Sequence, residues 1–140
     1  MLGTLGKWLR LLGYDTVTAT DQPDAVLVRQ ARAEGRLILT RDRELARRRG
    51  VDALLIADDD LDAQLAQVVR ELRLVAPRPG SRCPHCNELL LSVTREDVAD
   101  AVPPYVLRSH EQFRRCPACG QVYWRGSHWP QVEARLGLWE

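Results

Sequence analysis

Apolar residues in the first half of the chain recur in short blocks whose period switches between helix and strand. Leu2, Leu5, Trp8, Leu9 and Leu12 fall at three- and four-residue steps, which predicts an amphipathic helix ending at Gly13. Residues 14–18 read as a short strand. Asp21 or Asp24 then opens a second helix, with Pro23 near its start, and its apolar positions Val26, Leu27, Ala31 and Ala33 run to a C-cap at Gly35. Residues 37–39 read as a buried strand, followed by a helix from near Thr40 to Gly50. A third strand is expected over residues 53–56 and a last helix over residues 61–72. Strands and helices alternating at these lengths predict an α/β fold, a parallel sheet flanked by helices. Pro77, Pro79 and Gly80 interrupt the pattern, so the expected domains are residues 1–76 and 77–140. A parallel sheet normally opens on a strand, whereas this chain opens on a helix. The expectation is therefore a first strand upstream of Met1, lost through a misassigned start or a truncation.

The second domain has its own chemistry. All four cysteines lie in two near-identical segments, Cys83-Pro84-His85-Cys86-Asn87 and Cys116-Pro117-Ala118-Cys119-Gly120. Thiolates two residues apart on a tight turn can grip one metal. Asn or Gly after the second cysteine tolerates the left-handed backbone such a knuckle needs. Two knuckles complete a tetrahedral four-cysteine set, the structural coordination of Zn2+, so Cys83, Cys86, Cys116 and Cys119 are expected to build a zinc ribbon. An iron–sulfur centre also accepts four cysteines. A disulfide framework would suit a secreted chain, but no signal peptide is visible. A thioredoxin-like site needs a single CxxC opening a helix. His85 reads as a turn residue rather than a further ligand.

Overall charge is nearly balanced, 20 basic residues against 19 acidic, so bulk electrostatics name no partner. Local distribution says more. Arginines 36, 41, 43, 47, 48 and 49 face only Asp42 and Glu44 across the same stretch. They are either a solvated helix face or a phosphate grip, for which the planar guanidinium is suited. No apolar run approaches the ~20 residues of a membrane span, and with reduced thiols a cytoplasmic location is expected.

Ligands of open α/β sheets sit beyond the carboxyl ends of the strands. Acidic residues gather at those positions: Asp21 and Asp24, then Asp42 and Glu44, then Asp58, Asp59, Asp60 and Asp62. Converging carboxylates suit Mg2+ or Mn2+, which bind oxygen ligands while keeping several waters. Each residue also has a plainer role: Asp24 as a helix cap, Asp42 and Glu44 as partners of a helix N-terminus, and residues 58–60 as a solvated turn.

The opening Met1-Leu-Gly-Thr-Leu-Gly-Lys-Trp-Leu-Arg-Leu-Leu-Gly-Tyr-Asp-Thr resembles the Mut-seven C-terminal ribonuclease domain family. The resemblance continues through Glu34-Gly-Arg-Leu-Ile-Leu-Thr-Arg-Asp-Arg-Glu-Leu, Gln64-Leu65 and Ser81-Arg-Cys-Pro-His-Cys-Asn. It ends with Cys116-Pro-Ala-Cys-Gly-Gln-Val-Tyr-Trp-Arg-Gly-Ser-His-Trp. It implies a PIN-like nuclease domain with an appended zinc ribbon, acting as a Mg2+- or Mn2+-dependent ribonuclease on single-stranded RNA. Asp42 and Asp24 match the family's metal carboxylates, and Glu44 sits where related proteins carry a further acid. In the family a strand ending in a metal-binding Asp precedes the Met-Leu-Gly segment, and this sequence lacks it. The stretch from Tyr123 to Trp129 is aromatic and basic. Trp124, Arg125 and His128, with Arg41 and Arg43, are the candidates for RNA contact. Packing of Trp124 and Trp129 against protein is the plainer role. Two other readings stand beside the nuclease: a non-catalytic RNA-binding or toxin–antitoxin-like interaction module, inactive without the first-strand Asp, and a zinc-ribbon adaptor for protein. A homo-oligomer or a regulatory protein partner is compatible with any of them.

Overall fold

The computed structural model describes residues 2–19, 22–74 and 80–124. The chain divides into two compact units, Met1–Leu5 with Val17–Val75, and Gly6–Thr16 with Ala76–Glu140.

In the first unit, helix α2 (Asp24–Glu34) starts after Pro23, whose φ of −59° leads into the helix, and carries Asp24 in its first turn. It ends at Gly35, where φ is 66°. Arg36 N–H reaches back to the Ala31 carbonyl at 2.8 Å, so carbonyls that the helix leaves open are taken up by the turn. The chain then enters β1 (Ile38–Thr40), the short helix α3 (Arg43–Ala46), β2 (Ala53–Leu55) and α4 (Leu61–Glu71). Strands β1 and β2 are parallel, with Ile38 opposite Ala53 and Thr40 opposite Leu55. Bonds from Ile38 N–H to Asp52 and from Ile56 N–H to Thr40 extend the ladder at 2.9 and 2.7 Å. Ala31, Ile38 and Leu45 form the buried centre, with Leu27, Val28, Val51 and Ala53 around it. Burying Ile38 and Leu45 contributes about 1.5–3 kcal/mol each.

The second unit is an antiparallel ribbon, β3 (Leu91–Val93), β4 (Phe113–Arg115) and β5 (Val122–Trp124), in that spatial order. A 3-10 turn (Glu96–Val98) and helix α5 (Pro104–Ser109) lie between β3 and β4 in the chain. Val98, Val102, Val106, Phe113 and Val122 make its core, and Val93, Leu107 and Trp124 pack on that core. Alternation explains the strand pattern: Phe113 is buried and Arg114 exposed one residue later.

Three expectations are corrected. Residues 14–18 are not a strand, and the parallel sheet has two strands among the described residues. Their backbone groups are satisfied otherwise, by Tyr14 N–H to Leu9 O at 2.9 Å, Thr16 N–H to Asn87 Oδ1 at 2.9 Å, and Arg10 Nε to Thr16 O at 2.6 Å. The helix expected from Thr40 to Gly50 shrinks to α3. Its last bonds tighten to three-residue spacing, and the chain leaves it through consecutive Arg47, Arg48 and Arg49. On α2 the buried residue is Ala31, whereas Val26 and Ala33 are exposed. Asp21 lies outside the described residues. The first helix, α1 (Gly3–Leu11), is as expected, with Leu5, Leu9 and Leu12 buried. Among the described residues no helix is long and apolar enough to cross a membrane.

Candidate metal centre and acidic sites

The two cysteine segments fold into matching knuckles. In the first, Cys83 N–H bonds to Glu88 O at 2.9 Å and Asn87 N–H to Cys83 O at 2.8 Å. In the second, Cys116 N–H bonds to Gln121 O at 3.0 Å and Gly120 N–H to Cys116 O at 2.9 Å. Asn87 and Gly120 take the same left-handed turn, with φ of 66° and 77°. The four Sγ atoms lie within 4.8 Å of one another, and Cys83 Sγ is 3.8 Å from Cys119 Sγ. A tetrahedral ion with Zn–S bonds of about 2.3 Å separates its sulfurs by about 3.8 Å, so the donor set fits Zn2+. All four cysteines are free thiols, Cys83 and Cys116 buried.

Hydrogen bonds reach two of these sulfurs, Cys83 and Cys116. Cys116 Sγ accepts from the Ala118 and Cys119 N–H groups at 3.4 Å each. Burial alone would raise the Cys83 thiol. The Tyr123 hydroxyl, 3.4 Å away, and the N–H groups of Cys86 and His85 outweigh it and hold Cys83 at about 7. Cys86 is pushed up to about 12, first by its contact with Cys119 and then by burial, because neighbouring sulfurs without a cation cannot all ionise together. Tyr123 is raised as well, by burial and by the Cys83 sulfur. His85 is not part of the ligand group and lends only its backbone to the turn.

The first knuckle is also docked by residues no local pattern could have revealed. Arg10 Nη1 donates to Pro84 O at 2.9 Å and to His85 O at 3.2 Å. Arg82 donates to Asn87 O at 2.8 Å and to Gly13 O at 3.2 Å. The Asn87 amide accepts from Thr16 N–H at 2.9 Å and donates to Asp15 at 2.6 Å. The partners are separated by up to 75 positions, beyond the reach of spacing arguments.

The acidic residues stand differently. Asp42, two residues past the end of β1, caps α3: its Oδ1 accepts from Glu44 N–H at 2.9 Å and Leu45 N–H at 3.4 Å. Thr40 Oγ1 accepts in turn from Asp42 N–H at 3.0 Å. Asp42 Oδ2 takes no hydrogen bond among the described residues. Glu44 is exposed in the first turn of α3, and Asp24 in the first turn of α2 lies 3.9 Å from Arg48. Asp58 follows β2; the Asp60 N–H, 2.9 Å from its Oδ1, is the main cause that lowers its carboxyl, with a smaller contribution from Arg41. Among the described residues, the four cysteines are the one group of three or more ligand side chains drawn this close together; Asp24, Asp42 and Glu44 form none. Arg41 and Arg43 are exposed on either side of Asp42, and Trp124 is half-buried on the ribbon core. Arg125, His128 and Trp129 lie outside the described residues.

No curated protein and no solved structure matches the chain. The description of the Mut7-C RNAse domain family matches residues 1–136 of the 140, and the chain belongs to that family.

Proposed function

We propose that the protein is a divalent-metal-dependent ribonuclease that cuts single-stranded RNA in the cytoplasm, with a PIN-like nuclease domain in residues 1–76 and an RNA-gripping zinc ribbon in residues 77–140. The observation that carries this reading is the family match over residues 1–136, joined to the placement of Asp42 just beyond the carboxyl end of β1.

Asp42 and Asp24 are the residues that would hold Mg2+ or Mn2+. Their donor set fits, because Mg2+ is commonly held by one or two carboxylates together with waters and substrate phosphates. Bound there, the ion supplies activation of water and stabilisation of the leaving oxygen in phosphodiester cleavage. The chain supplies orientation. The Glu44 and Leu45 N–H groups hold Asp42 through Oδ1, and Oδ2 takes no hydrogen bond among the described residues. Glu44 adds negative charge beside it. Arg41 and Arg43 are placed to grip phosphates, with Trp124, Arg125 and His128 contributing from the ribbon.

The alternative is an RNA-binding or toxin–antitoxin-like interaction module without cleavage, favoured by the carboxylates' not forming a three-ligand group among the described residues. One assay separates the two: cleavage of a generic single-stranded RNA with Mn2+ by the wild type and by Asp42→Asn. Cleavage by the wild type alone supports the nuclease. Binding without cleavage by either supports the module, and equal cleavage by both overturns the role of Asp42.

A further inference from the structure

The two knuckles share one backbone design, but their surroundings differ. The Pro84 and His85 carbonyls of the first receive the Arg10 guanidinium, the Asn87 carbonyl receives Arg82, and the Asn87 side chain is bonded on both sides by Asp15 and Thr16. The corresponding Pro117 and Ala118 carbonyls of the second knuckle take no side-chain donor among the described residues, and Gly120 stands where Asn87 does. Every one of these docking bonds falls within the same compact unit, which contains residues 6–16 together with the ribbon.

Two physical effects follow. Four thiolates around a divalent cation leave a net charge of about −2, and two guanidinium groups fixed on the first knuckle offset it. The same bonds hold the knuckle's carbonyls, so its N–H groups stay turned toward the Cys83 sulfur. Residues 13–16 form no helix or strand; Gly13 and Tyr14 N–H close onto the end of α1 through Arg10 O and Leu9 O, and Thr16 N–H is satisfied by Asn87.

We propose that Arg10, Arg82 and Asn87 are an outer layer of the four-cysteine metal site, so that metal loading and the ordering of residues 10–16 on the first knuckle are a single event. The ribbon is then a metal-gated clamp on the end of α1, and removing the metal releases that end. The inference stands on the cysteine site and is independent of whether the chain cleaves RNA.

The test uses the full chain loaded with Zn2+. Zinc affinity is measured by competition with a chromophoric chelator for the wild type, Asn87→Gly and Arg10→Gln. Asn87→Gly copies the residue the second knuckle already has, so the left-handed turn persists while the amide is lost. Both variants are expected to bind zinc roughly 10–100-fold more weakly, the usual effect of losing such supporting groups. In parallel, hydrogen exchange is followed at the Thr16 amide of the wild type, which bonds to Asn87, before and after chelation. Protection there is expected to vanish with the metal and return on adding Zn2+. Wild-type affinity in both variants, or equal protection with and without metal, overturns the proposal. Should a variant fail to fold, the wild-type exchange comparison decides alone.

Discussion

Gln67 and Ala57 are joined where β2 ends. Gln67 Oε1 accepts from Ala57 N–H at 2.9 Å, and its Nε2 donates to Leu55 O at 2.8 Å. One side-chain amide from α4 thus makes the two bonds that a neighbouring strand would make. Gln64, one turn earlier, donates to Asp58 O at 2.8 Å. Both glutamines are buried, at 9% and 4% exposure, while Ala57 and Asp58 are exposed, so these bonds are part-buried at the edge of the unit. They fix the path by which the chain leaves β2 toward Asp58.

Replacing Gln67 by Leu keeps an apolar side chain of similar size but leaves the Ala57 N–H and Leu55 carbonyl unpaired. The expected loss is about 0.5–1.5 kcal/mol per lost bond, read as a lower urea midpoint. Gln64→Leu strands only the Asp58 carbonyl and should cost less. Equal losses for the two would contradict the bonding described above.

Periodicity found most helices and both strands of the parallel pair because it reports which face is buried. The paired cysteine spacing located the knuckles, and the residue after each second cysteine anticipated the left-handed Asn87 and Gly120. Pattern reading failed at residues 14–18, expected as a strand, because the partners that satisfy this backbone come from Leu9, Arg10 and Asn87. The Tyr123 hydroxyl on Cys83 and the glutamine clamp on β2 were invisible for a related reason. Long-range side-chain bonds leave no period in the chain. Asp42 was legible by position, yet its two plausible roles, cap and metal ligand, occupy the same carboxylate and cannot be parted by pattern.

The observed cap and the proposed metal role give Asp42 a discriminating pair of substitutions. Asparagine caps helices about as well as aspartate, whereas alanine loses the cap at about 1 kcal/mol. Asp42→Asn should therefore melt with the wild type while abolishing Mn2+-dependent RNA cleavage. Asp42→Ala should lose cleavage and also melt a few degrees lower. If the asparagine variant retains full cleavage, the carboxylate charge has no part in the reaction.

Metal removal should act on the ribbon before the first unit. A structural zinc contributes directly to folding, and among the described residues the ribbon's core is four valines and Phe113. Chelation is expected to open the four cysteines to a thiol reagent and to broaden the resonances of Val98, Val106 and Phe113, while those of Ile38 and Leu45 persist. Cys116→Ser, which removes a buried ligand, should lose zinc in the same way. Thiols that stay protected after the metal is stripped would mean that the ribbon folds on its packing alone.

The acid limb of stability tests the turn after β2. Asp58 is held below its ordinary carboxyl value of 3.8, mainly by the Asp60 N–H and in a smaller part by Arg41. A carboxyl lowered by folding contributes stability that is fully present above the unfolded value and is lost as pH falls through the folded one. The expected window is therefore below pH 3.8, not around neutrality. Following the Asp58 carboxyl carbon by NMR should give a midpoint below 3.8 in the folded chain. Arg41→Ala should raise that midpoint slightly, and added salt should do the same because the arginine is exposed. Asp58→Asn can still accept from the Asp60 N–H but carries no charge, so it should be slightly less stable than the wild type at neutral pH, and the difference should close between pH 4 and pH 2. An Asp58 midpoint at or above 3.8 would show that the turn's N–H does not hold the charged form.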